Sequence, residues 1–276
     1  MTDADPARYT VMGNPVAHSK SPRIHSLFAT QTGQKMYYGM TLVPRDGFAE
    51  AVQRFREEGG RGANVTVPFK EEAWHLAEHL TPRALRAGAA NTLTFSDDGI
   101  RGDNTDGIGL LRDLVNNHGL TLAGRRILVL GAGGAVRGVL EPLLEAQPRL
   151  LHIANRTAER ARQLATDFAD MGAVTGSGID ELGEEQFELI INGTSASLGG
   201  EVPALPDHIL APDGRTCDMV YGDKPTAFMD WAREHGDPAA LDGLGMLVEQ
   251  AAESFCIWRG VMPDTAPVIA ALRGRK

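Results

Sequence analysis

The sequence has little cysteine, a deficit of positive charge and no long apolar run. Its 276 residues include two cysteines, Cys217 and Cys256, too few for a disulfide framework or a zinc cage. No apolar run approaches the roughly 18 residues that a membrane span needs. Acidic residues outnumber basic ones by 36 to 27, and the net charge of −9 argues against a nucleic-acid partner. The N-terminal MTDADPARYT is acidic and lacks the apolar segment of a signal peptide, so we expect a cytoplasmic protein with no membrane partner.

Glycine, in contrast, is abundant. It makes up 32 of 276 residues, or about 12%, against an average of about 7%. Glycine gathers where the backbone turns sharply or approaches a ligand closely. Short β-rich runs alternate with amphipathic stretches along the chain, a pattern typical of βαβ units and a largely parallel sheet. The sequence therefore predicts an α/β protein.

The apolar periodicity also predicts individual elements. The predicted strands are 9–13, 36–43, 63–68, 91–96, 126–130, 150–155, 187–192 and 216–220. The predicted helices are 22–32, 47–58, 69–79, a segment ending near 146, and 244–260. Gly59–Gly62 and Asp97–Gly99 are predicted turns. Ser21-Pro22 has the form of a helix N-cap followed by proline at the first helical position.

A glycine cluster follows the predicted strand RILVL at 126–130. Gly131, Gly133 and Gly134 separate this strand from a helix, which is where a dinucleotide-binding fold directs backbone N–H groups at a pyrophosphate. The match to G-x-G-x-x-G is incomplete, because Val136 occupies the last glycine position. An ordinary glycine-rich turn is the alternative.

The end of the next predicted strand, 150–155, lacks the acidic residue that binds the ribose of NAD. Asn155, Arg156 and Thr157 stand there instead, and Arg160 falls in the first turn of the following helix. The helix dipole disfavours a cation in that turn unless an anion is bound, and the 2′-phosphate of NADP is such an anion. The pattern therefore favours NADP over NAD. Alternatively, both arginines are solvated and Thr157 only caps the helix.

Lys70 opens a predicted helix within GANVTVPFKEE. The helix dipole favours Glu71 and Glu72 in that first turn but disfavours an ammonium group, so a partly buried Lys70 is a candidate acid or base. The alternative is an exposed lysine paired with a neighbouring glutamate. Asp106 could likewise have a structural role alone, as a cap of the helix that follows it.

His75, Glu78 and His79 match the H-x-x-E-H pattern of some zinc proteases. If one helix carried all three residues, the two histidines would share a face. The segment is polar and no third ligand stands out. We therefore expect a solvated helix face and no metal.

Several stretches together resemble the shikimate dehydrogenase family over essentially the whole chain. In chain order they are GNPVAHSKSP (13–22), GANVTVPFKEEA (62–73), GAANTL (88–93), GDNTDGIGLL (102–111), GAGGAVRGV (131–139), NRTAER (155–160), INGTSAS (191–197), CDMVYG (217–222) and DGLGMLVEQAA (242–252). The resemblance implies an N-terminal α/β substrate domain and a Rossmann-type domain with a doubly wound parallel sheet, with an active-site cleft between them. It implies a substrate domain at 1–105, completed by C-terminal helices at 243–276, and an NADP-binding domain at 106–242.

The resemblance also implies roles for individual residues. Lys70 and Asp106 match the catalytic pair. The residues that match substrate ligands are Ser19, Ser21 and Tyr221 on the carboxylate, and Thr66, Asn91, Asp106 and Gln250 on the ring hydroxyls. The residues that match cofactor ligands are Gly131, Ala132, Gly133, Gly134, Ala135, Asn155, Arg156, Thr157, Arg160, Thr194, Met219, Gly243 and Met246.

Three positions depart from the family pattern. Gly193 replaces the commoner alanine after Asn192, and Ala227 replaces proline after Thr226. Val136 stands where a small polar residue is common. These differences bear on loop rigidity and cofactor fit rather than on the chemistry.

The activity that the resemblance implies is the reversible NADPH-dependent reduction of 3-dehydroshikimate to shikimate, in aromatic amino-acid biosynthesis. One alternative is an NAD-preferring quinate/shikimate dehydrogenase, which Arg156, Arg160 and Ser21 disfavour. A second is a non-catalytic regulatory relative, which the presence of both Lys70 and Asp106 disfavours. We expect a monomer or a homodimer that binds a small-molecule substrate.

Overall fold

The described residues, 5–194 and 196–274 of the computed structural model, contain two separate β-sheets. Residues 5–109 and 248–274 form the first unit, which holds one sheet, and residues 110–247 form the second unit, which holds the other. The predicted α/β class is confirmed. No helix in these described ranges is long and apolar enough to cross a membrane.

The first unit is built on a six-stranded mixed sheet with the order β2-β1-β3-β5-β6-β4. Its strands are β1 (Ala7–Gly13), β2 (Met36–Leu42), β3 (Gly60–Val65), β4 (His79–Leu80), β5 (Thr92–Ser96) and β6 (Gly99–Asp103). Its helices include α1 (Ser21–Thr32), α2 (Phe48–Glu57), α3 (Lys70–Leu76), α4 (Pro82–Ala87) and the beginning of α5 (Asp106–Arg112).

Two of the five strand pairings in this sheet are antiparallel. β1 pairs in parallel with β2 and β3, but β5 runs antiparallel to both β3 and β6. The prediction of a largely parallel sheet therefore holds for the other pairings and fails only at β5. The short segment GIRGD that forms β6 has two glycines among five residues, so it carries little of the apolar alternation that marks a strand.

The predicted turn at Gly59–Gly62 is wrong in its second part, because Gly60 begins β3. The indole of Trp258 lies where a side chain at Gly62 would project, and its Nε1 donates to the Leu93 carbonyl at 3.1 Å. Gly62 therefore permits close packing within a strand rather than a turn.

The predicted N-cap at Ser21 is also wrong. α1 begins at Ser21 itself, Lys20 occupies the cap position, and no side chain makes a capping hydrogen bond. Instead, the Ser21 backbone N–H donates to Oγ of Ser19 at 3.3 Å. Ser19 thus satisfies a free donor of the first turn from outside the helix.

The predicted helix at 69–79 is too long. α3 ends at Leu76, Ala77 is extended, and His79 lies in β4 beside β6. The Glu78 carboxylate accepts the Ile100 backbone N–H at 2.8 Å. His75 and His79 therefore do not share a helix face. Both the zinc pattern and the expected solvated helix face required one helix to carry His75, Glu78 and His79, and no such helix forms.

The second unit is built on a five-stranded parallel sheet with the order β11-β10-β7-β8-β9. Its strands are β7 (Arg126–Leu130), β8 (Leu150–Asn155), β9 (Val174–Gly178), β10 (Phe187–Asn192) and β11 (Leu210–Asp218), and its helices include α6 (Gly134–Glu145), α7 (Ala158–Asp167) and α8 (Ala227–Glu234). Residues 127–130 of β7 are 0% exposed, so this central strand is covered on both faces. The chain moves outward from β7 in both directions, which confirms the predicted doubly wound sheet.

The last two helices are α9 (Leu244–Arg259) and α10 (Ala266–Arg273). The boundaries between the units fall inside α5, after Gly109, and inside α9, after Leu247. The predicted domain boundaries and the role of each domain stay predictions.

Candidate active site

Lys70 and Asp106 form an ion pair in the first unit. Each is the first residue of its helix, Lys70 of α3 and Asp106 of α5. Nζ and Oδ2 are 2.5 Å apart, and the two side chains are 28% and 12% exposed. The partner of Lys70 is therefore Asp106 rather than Glu71 or Glu72, and the pair is partly buried while the lysine stays accessible.

The Asn91 carboxamide contacts the other oxygen of Asp106. Its Nδ2 donates to Oδ1 of Asp106 at 2.8 Å and lies 3.3 Å from Oε1 of Gln250. Its Oδ1 accepts the Thr105 backbone N–H at 2.9 Å. Because a backbone N–H can only donate, this contact fixes which end of the carboxamide faces Asp106. The structure thus brings Lys70, Asp106, Asn91 and Gln250 into one hydrogen-bonded group.

The other predicted substrate ligands lie at ends of elements. Thr66 directly follows β3 and is half-buried, Ser19 precedes α1, and Ser21 is buried in its first turn. Tyr221 belongs to the second unit, where burial raises the pKa of its phenol. Its hydroxyl therefore keeps its proton at neutral pH and can act as a hydrogen-bond donor.

The glycine turn of the second unit has the geometry of an anion site. Gly131 directly follows β7 and has a φ of +107°, a conformation that suits glycine. Gly133 occupies the N-cap of the 12-residue helix α6, and Gly134 begins the helix. A Cβ on either of these two residues would meet open space, and both residues are exposed. The turn and its free helix N-terminus therefore fit a pyrophosphate.

Asn155, Arg156, Thr157 and Arg160 lie at the carboxyl end of β8. Nδ2 of Asn155 donates to the Thr157 carbonyl at 2.9 Å, which shapes the turn before α7. Thr157 occupies the predicted N-cap position, but its side chain makes no capping hydrogen bond. Arg156 and Arg160 are exposed, with Arg160 in the first turn of α7. Two exposed guanidinium groups near a helix N-terminus suit a phosphate monoester.

Thr194 lies close to the glycine turn, Met219 contacts the segment just before Thr194, and Gly243 contacts Met219. A Cβ on Gly131 would contact Cγ2 of Thr194 at 3.3 Å. Oγ1 of Thr194 donates to Oδ1 of Asn192 at 2.7 Å, and the Met219 N–H donates to the Asn192 carbonyl at 2.9 Å. A Cβ on Gly243 would overlap the Met219 carbonyl, so this position requires glycine.

Met246, the remaining predicted cofactor ligand, is 8% exposed and belongs to the apolar core of the second unit. The structure therefore surrounds it mainly with protein. Any contact with a ligand would be made by the small exposed part of its side chain.

Two departures from the family pattern compensate each other. A Cβ on Gly193 would overlap Cγ2 of Val136 and lie 3.1 Å from Sδ of Met219. The larger residue at Val136 thus occupies the space that an alanine at Gly193 would need. At the third departure, Ala227 occupies the first position of α8, and Thr226 caps the helix by accepting the Met229 N–H.

A doubly wound parallel sheet with a glycine turn after its central strand defines the class of dinucleotide-binding α/β proteins. Family models match three stretches: the shikimate dehydrogenase substrate binding domain at 11–93, shikimate/quinate 5-dehydrogenase at 113–198, and the shikimate 5′-dehydrogenase C-terminal domain at 243–273. The chain belongs to the shikimate dehydrogenase family, which confirms the resemblance seen in the sequence.

Individual relatives match along nearly the full length. The NADP(+) shikimate dehydrogenase of Thioalkalivibrio sulfidiphilus is 62% identical over 96% of this chain and 98% of its own. That of Alkalilimnicola ehrlichii is 60% identical over 99% of both chains. Among solved structures, the shikimate 5-dehydrogenase of Thermus thermophilus in complex with NADP(H) and shikimate has a TM-score of 0.85 at 32% identity. The similarity covers 97% of this chain and 99% of that one.

A group of buried polar residues beneath Asn91 was not predicted from the sequence. They are Asn64, Thr92, Thr105 and Ser254. A signal existed for Asn64, which interrupts the apolar segment ANVTV, because a polar residue at a buried strand position needs a partner. Ser254 lies 190 residues further along the chain, and nothing local in the sequence indicates that the two meet.

Proposed function

We propose that this chain catalyses the reversible NADPH-dependent reduction of 3-dehydroshikimate to shikimate. The chain is an NADP-dependent oxidoreductase that acts on a CH–OH group, as its relatives at 62% and 60% identity indicate by name. The observation that carries the chemistry is the Lys70–Asp106 pair, with Asn91 on the second oxygen of Asp106. This arrangement offers a proton donor, a carboxylate that holds it, and an amide for substrate hydroxyls.

NADP(H), when bound, supplies the hydride chemistry. In our proposal, residues 131–135 hold the pyrophosphate through backbone N–H groups, and the adenosine 2′-phosphate is bound by Asn155, Arg156, Thr157 and Arg160. Met219, Gly243 and Met246 line the nicotinamide side, and Thr194 is a further cofactor contact. The exposed guanidinium groups and the missing acidic residue at the end of β8 support NADP over NAD, and so disfavour the NAD-preferring alternative.

Lys70 acts as the general acid in ketone reduction. Its ammonium group donates a proton to the ketone oxygen as negative charge develops there, and the positive charge also stabilises that oxygen. In the reverse direction the neutral amine accepts the proton. Asp106 holds Nζ in place and accepts a hydrogen bond from a substrate hydroxyl. Both tasks suit a carboxylate whose two oxygens already face different donors.

Substrate orientation is assigned to neutral side chains. In our proposal the hydroxyls of Ser19, Ser21 and Tyr221 bind the carboxylate, while Thr66, Asn91 and Gln250 contact the ring hydroxyls. The burial of Asn91 and Gln250, at 2% and 9% exposure, supports this role because fixed partners orient a ligand with little loss of entropy.

The domain boundaries and roles, the oligomeric state and the cellular location are also proposals. We place the substrate domain at 1–105 with 243–276 and the NADP domain at 106–242, in a monomer or homodimer. A cytoplasmic location agrees with two free cysteines, Cys217 and Cys256, which suit a reducing compartment.

Steady-state oxidation of shikimate with NADP tests the proposal. We expect the unaltered protein to be active, and Lys70→Met to lower kcat by about 10²–10⁴-fold because methionine keeps the chain length and removes the proton. Lys35→Met, at an exposed site, is the control and should match the unaltered protein. Absence of shikimate oxidation by the unaltered protein would refute the function. Near-normal kcat in Lys70→Met would refute the role of the lysine.

A further inference from the structure

Thr92 lies behind Asn91 at the start of β5 and is 0% exposed. Its Oγ1 lies 2.9 Å from Oδ1 of Asn91 and 2.8 Å from Oγ of Ser254. Nδ2 of Asn64 is a third polar neighbour at 3.1 Å. Oγ1 of Thr105 is a fourth polar neighbour at 3.4 Å. One hydroxyl is thus enclosed by four polar side chains at a site with no solvent exposure.

The direction of these hydrogen bonds follows from groups that can only donate or only accept. Oδ1 of Asn91 is an acceptor, and its identity is fixed by the Thr105 N–H that donates to it. Two oxygens 2.9 Å apart need a proton between them, so the Thr92 hydroxyl donates to Asn91. The Thr92 hydroxyl proton is then used in the bond to Asn91 and is not available to Ser254. In the 2.8 Å contact with Ser254, the serine therefore supplies the proton, and the Gln250 backbone carbonyl, 3.1 Å from Oγ of Ser254, is a second acceptor for it.

Asn64 extends the series in the same direction. Its Nδ2 faces the Asn91 backbone carbonyl at 3.2 Å, an acceptor that fixes the orientation of the Asn64 amide. The same Nδ2 group donates to Oγ of Ser254 at 3.0 Å, and Oδ1 accepts from the Tyr38 hydroxyl at 2.7 Å. The donors run in one direction, in the order Tyr38, Asn64, Ser254, Thr92, Asn91, and end on Asp106.

We propose that Thr92 is a positioning residue for the reaction, acting through the Asn91 carboxamide on Asp106 and on the substrate. This inference rests on the proposed function, in which Asn91 contacts a ring hydroxyl and Asp106 holds Lys70. Thr92 donates to Oδ1 of Asn91 beside the Thr105 backbone N–H and hydroxyl, and it thereby helps to keep Nδ2 directed at the carboxylate. Bonds that point in one direction polarise one another, so each donor strengthens the next.

A pair of substitutions at Thr92 separates its hydroxyl from its methyl group. Thr92→Val keeps the volume and removes the donor, whereas Thr92→Ser keeps the donor and removes a methyl. We expect Thr92→Val to lower kcat/KM for shikimate by about tenfold, the effect of one buried hydrogen bond, and Thr92→Ser to stay within about threefold. KM for NADP should stay unchanged in both. Shikimate affinity measured calorimetrically without cofactor should fall in parallel.

Thr94→Val is the matched control. Thr94 lies two residues along β5, so it is on the same face of the strand, and it is half-buried. A purely packing role for Thr92 predicts the reverse order, with valine tolerated and serine harmful. That order, or a folded Thr92→Val protein with unchanged kcat/KM, would overturn the proposal.

A second variant covers the case in which Thr92→Val does not fold. Ser254→Ala removes the donor to Thr92, and we expect a fall of about threefold in kcat/KM. Cys256→Ala, on the same helix, removes one heavy atom outside the series and should have no effect. Equal behaviour of these two variants would contradict the proposal. Activity of the unaltered protein is measured first, so a failure of the proposed function would be seen separately.

Discussion

The two units differ in how far their candidate sites are assembled without a ligand. In the first unit, Asp106 and Asn91 are buried, and both Asp106 oxygens already have partners within 2.8 Å. In the second unit, Gly133, Gly134 and Arg156 are exposed. Buried polar groups must be paired by the fold, whereas exposed N–H groups and charges wait for an anion. Substitutions in the first unit should therefore affect turnover, and those in the second should affect cofactor affinity.

The largest expected effect tests whether Lys70 and Asp106 act as a unit. We expect Asp106→Asn to lower kcat by about 10²–10⁴-fold, because the amide no longer holds the ammonium group. The double variant with Lys70→Met should be little worse than either single variant, since residues that act together are not additive. Steady-state kinetics of all three variants measures this. The control is Asp98→Asn in the exposed β5–β6 turn, and additive losses would show that the two residues act independently.

Substitutions in the second unit should change the preference for NADP over NAD. We expect Arg156→Ala and Arg160→Ala each to weaken NADP binding by about 1.5–3 kcal/mol, the value of a charge-assisted hydrogen bond, while NAD binding changes little. Fluorescence titration with each nucleotide measures the difference. Arg149→Ala provides the control because Arg149 is exposed before the opposite end of β8. Equal losses for NADP and NAD would remove the 2′-phosphate assignment.

A smaller effect concerns the compensation between Gly193 and Val136. We expect Gly193→Ala to cost about 1–3 kcal/mol of stability, because its Cβ would overlap Cγ2 of Val136. Val136→Ala in the same chain should restore most of that loss by opening the space. Thermal unfolding of the single and double variants measures the coupling. If the double variant loses as much stability as the two single variants combined, the compensation is refuted.

The smallest expected effect is a gain. Ala227 occupies the first position of α8, where proline is favoured because its ring presets the helical backbone and the missing N–H has no helical partner. We expect Ala227→Pro to stabilise the protein by about 0.4–1 kcal/mol, with kcat unchanged. Denaturant unfolding checks this expectation. A loss of stability would mean that the backbone at position 227 does not suit proline.

The sequence was most informative where structure depends on neighbours along the chain. The strands at 126–130, 150–155 and 187–192 are confirmed at both ends, because each is a mainly apolar segment of the kind that a buried parallel strand needs. The glycine turn after 130 is confirmed for the same reason, since strand, turn and helix are consecutive. The residue roles that the family resemblance implies stay predictions.

The sequence was least informative where distant segments meet. Gly60 and Gly62 gave a turn signal, but the Trp258 indole, nearly 200 residues away, makes the second of them a strand position. Thr92 and Ser254 gave no functional signal, because a threonine in a strand and a serine in a helix are individually ordinary. Only the fold shows that their hydroxyls lie 2.8 Å apart.

The most direct test of the account combines two substrates with two cofactors. Purified protein is assayed with shikimate or quinate and with NADP or NAD, by following the absorbance of the reduced nicotinamide. Because the first site is fixed by buried hydrogen bonds and the second by exposed arginines, we predict the highest kcat/KM for shikimate with NADP. We also predict that exchanging shikimate for quinate, or NADP for NAD, lowers kcat/KM. Equal or higher kcat/KM for quinate with NAD would contradict it.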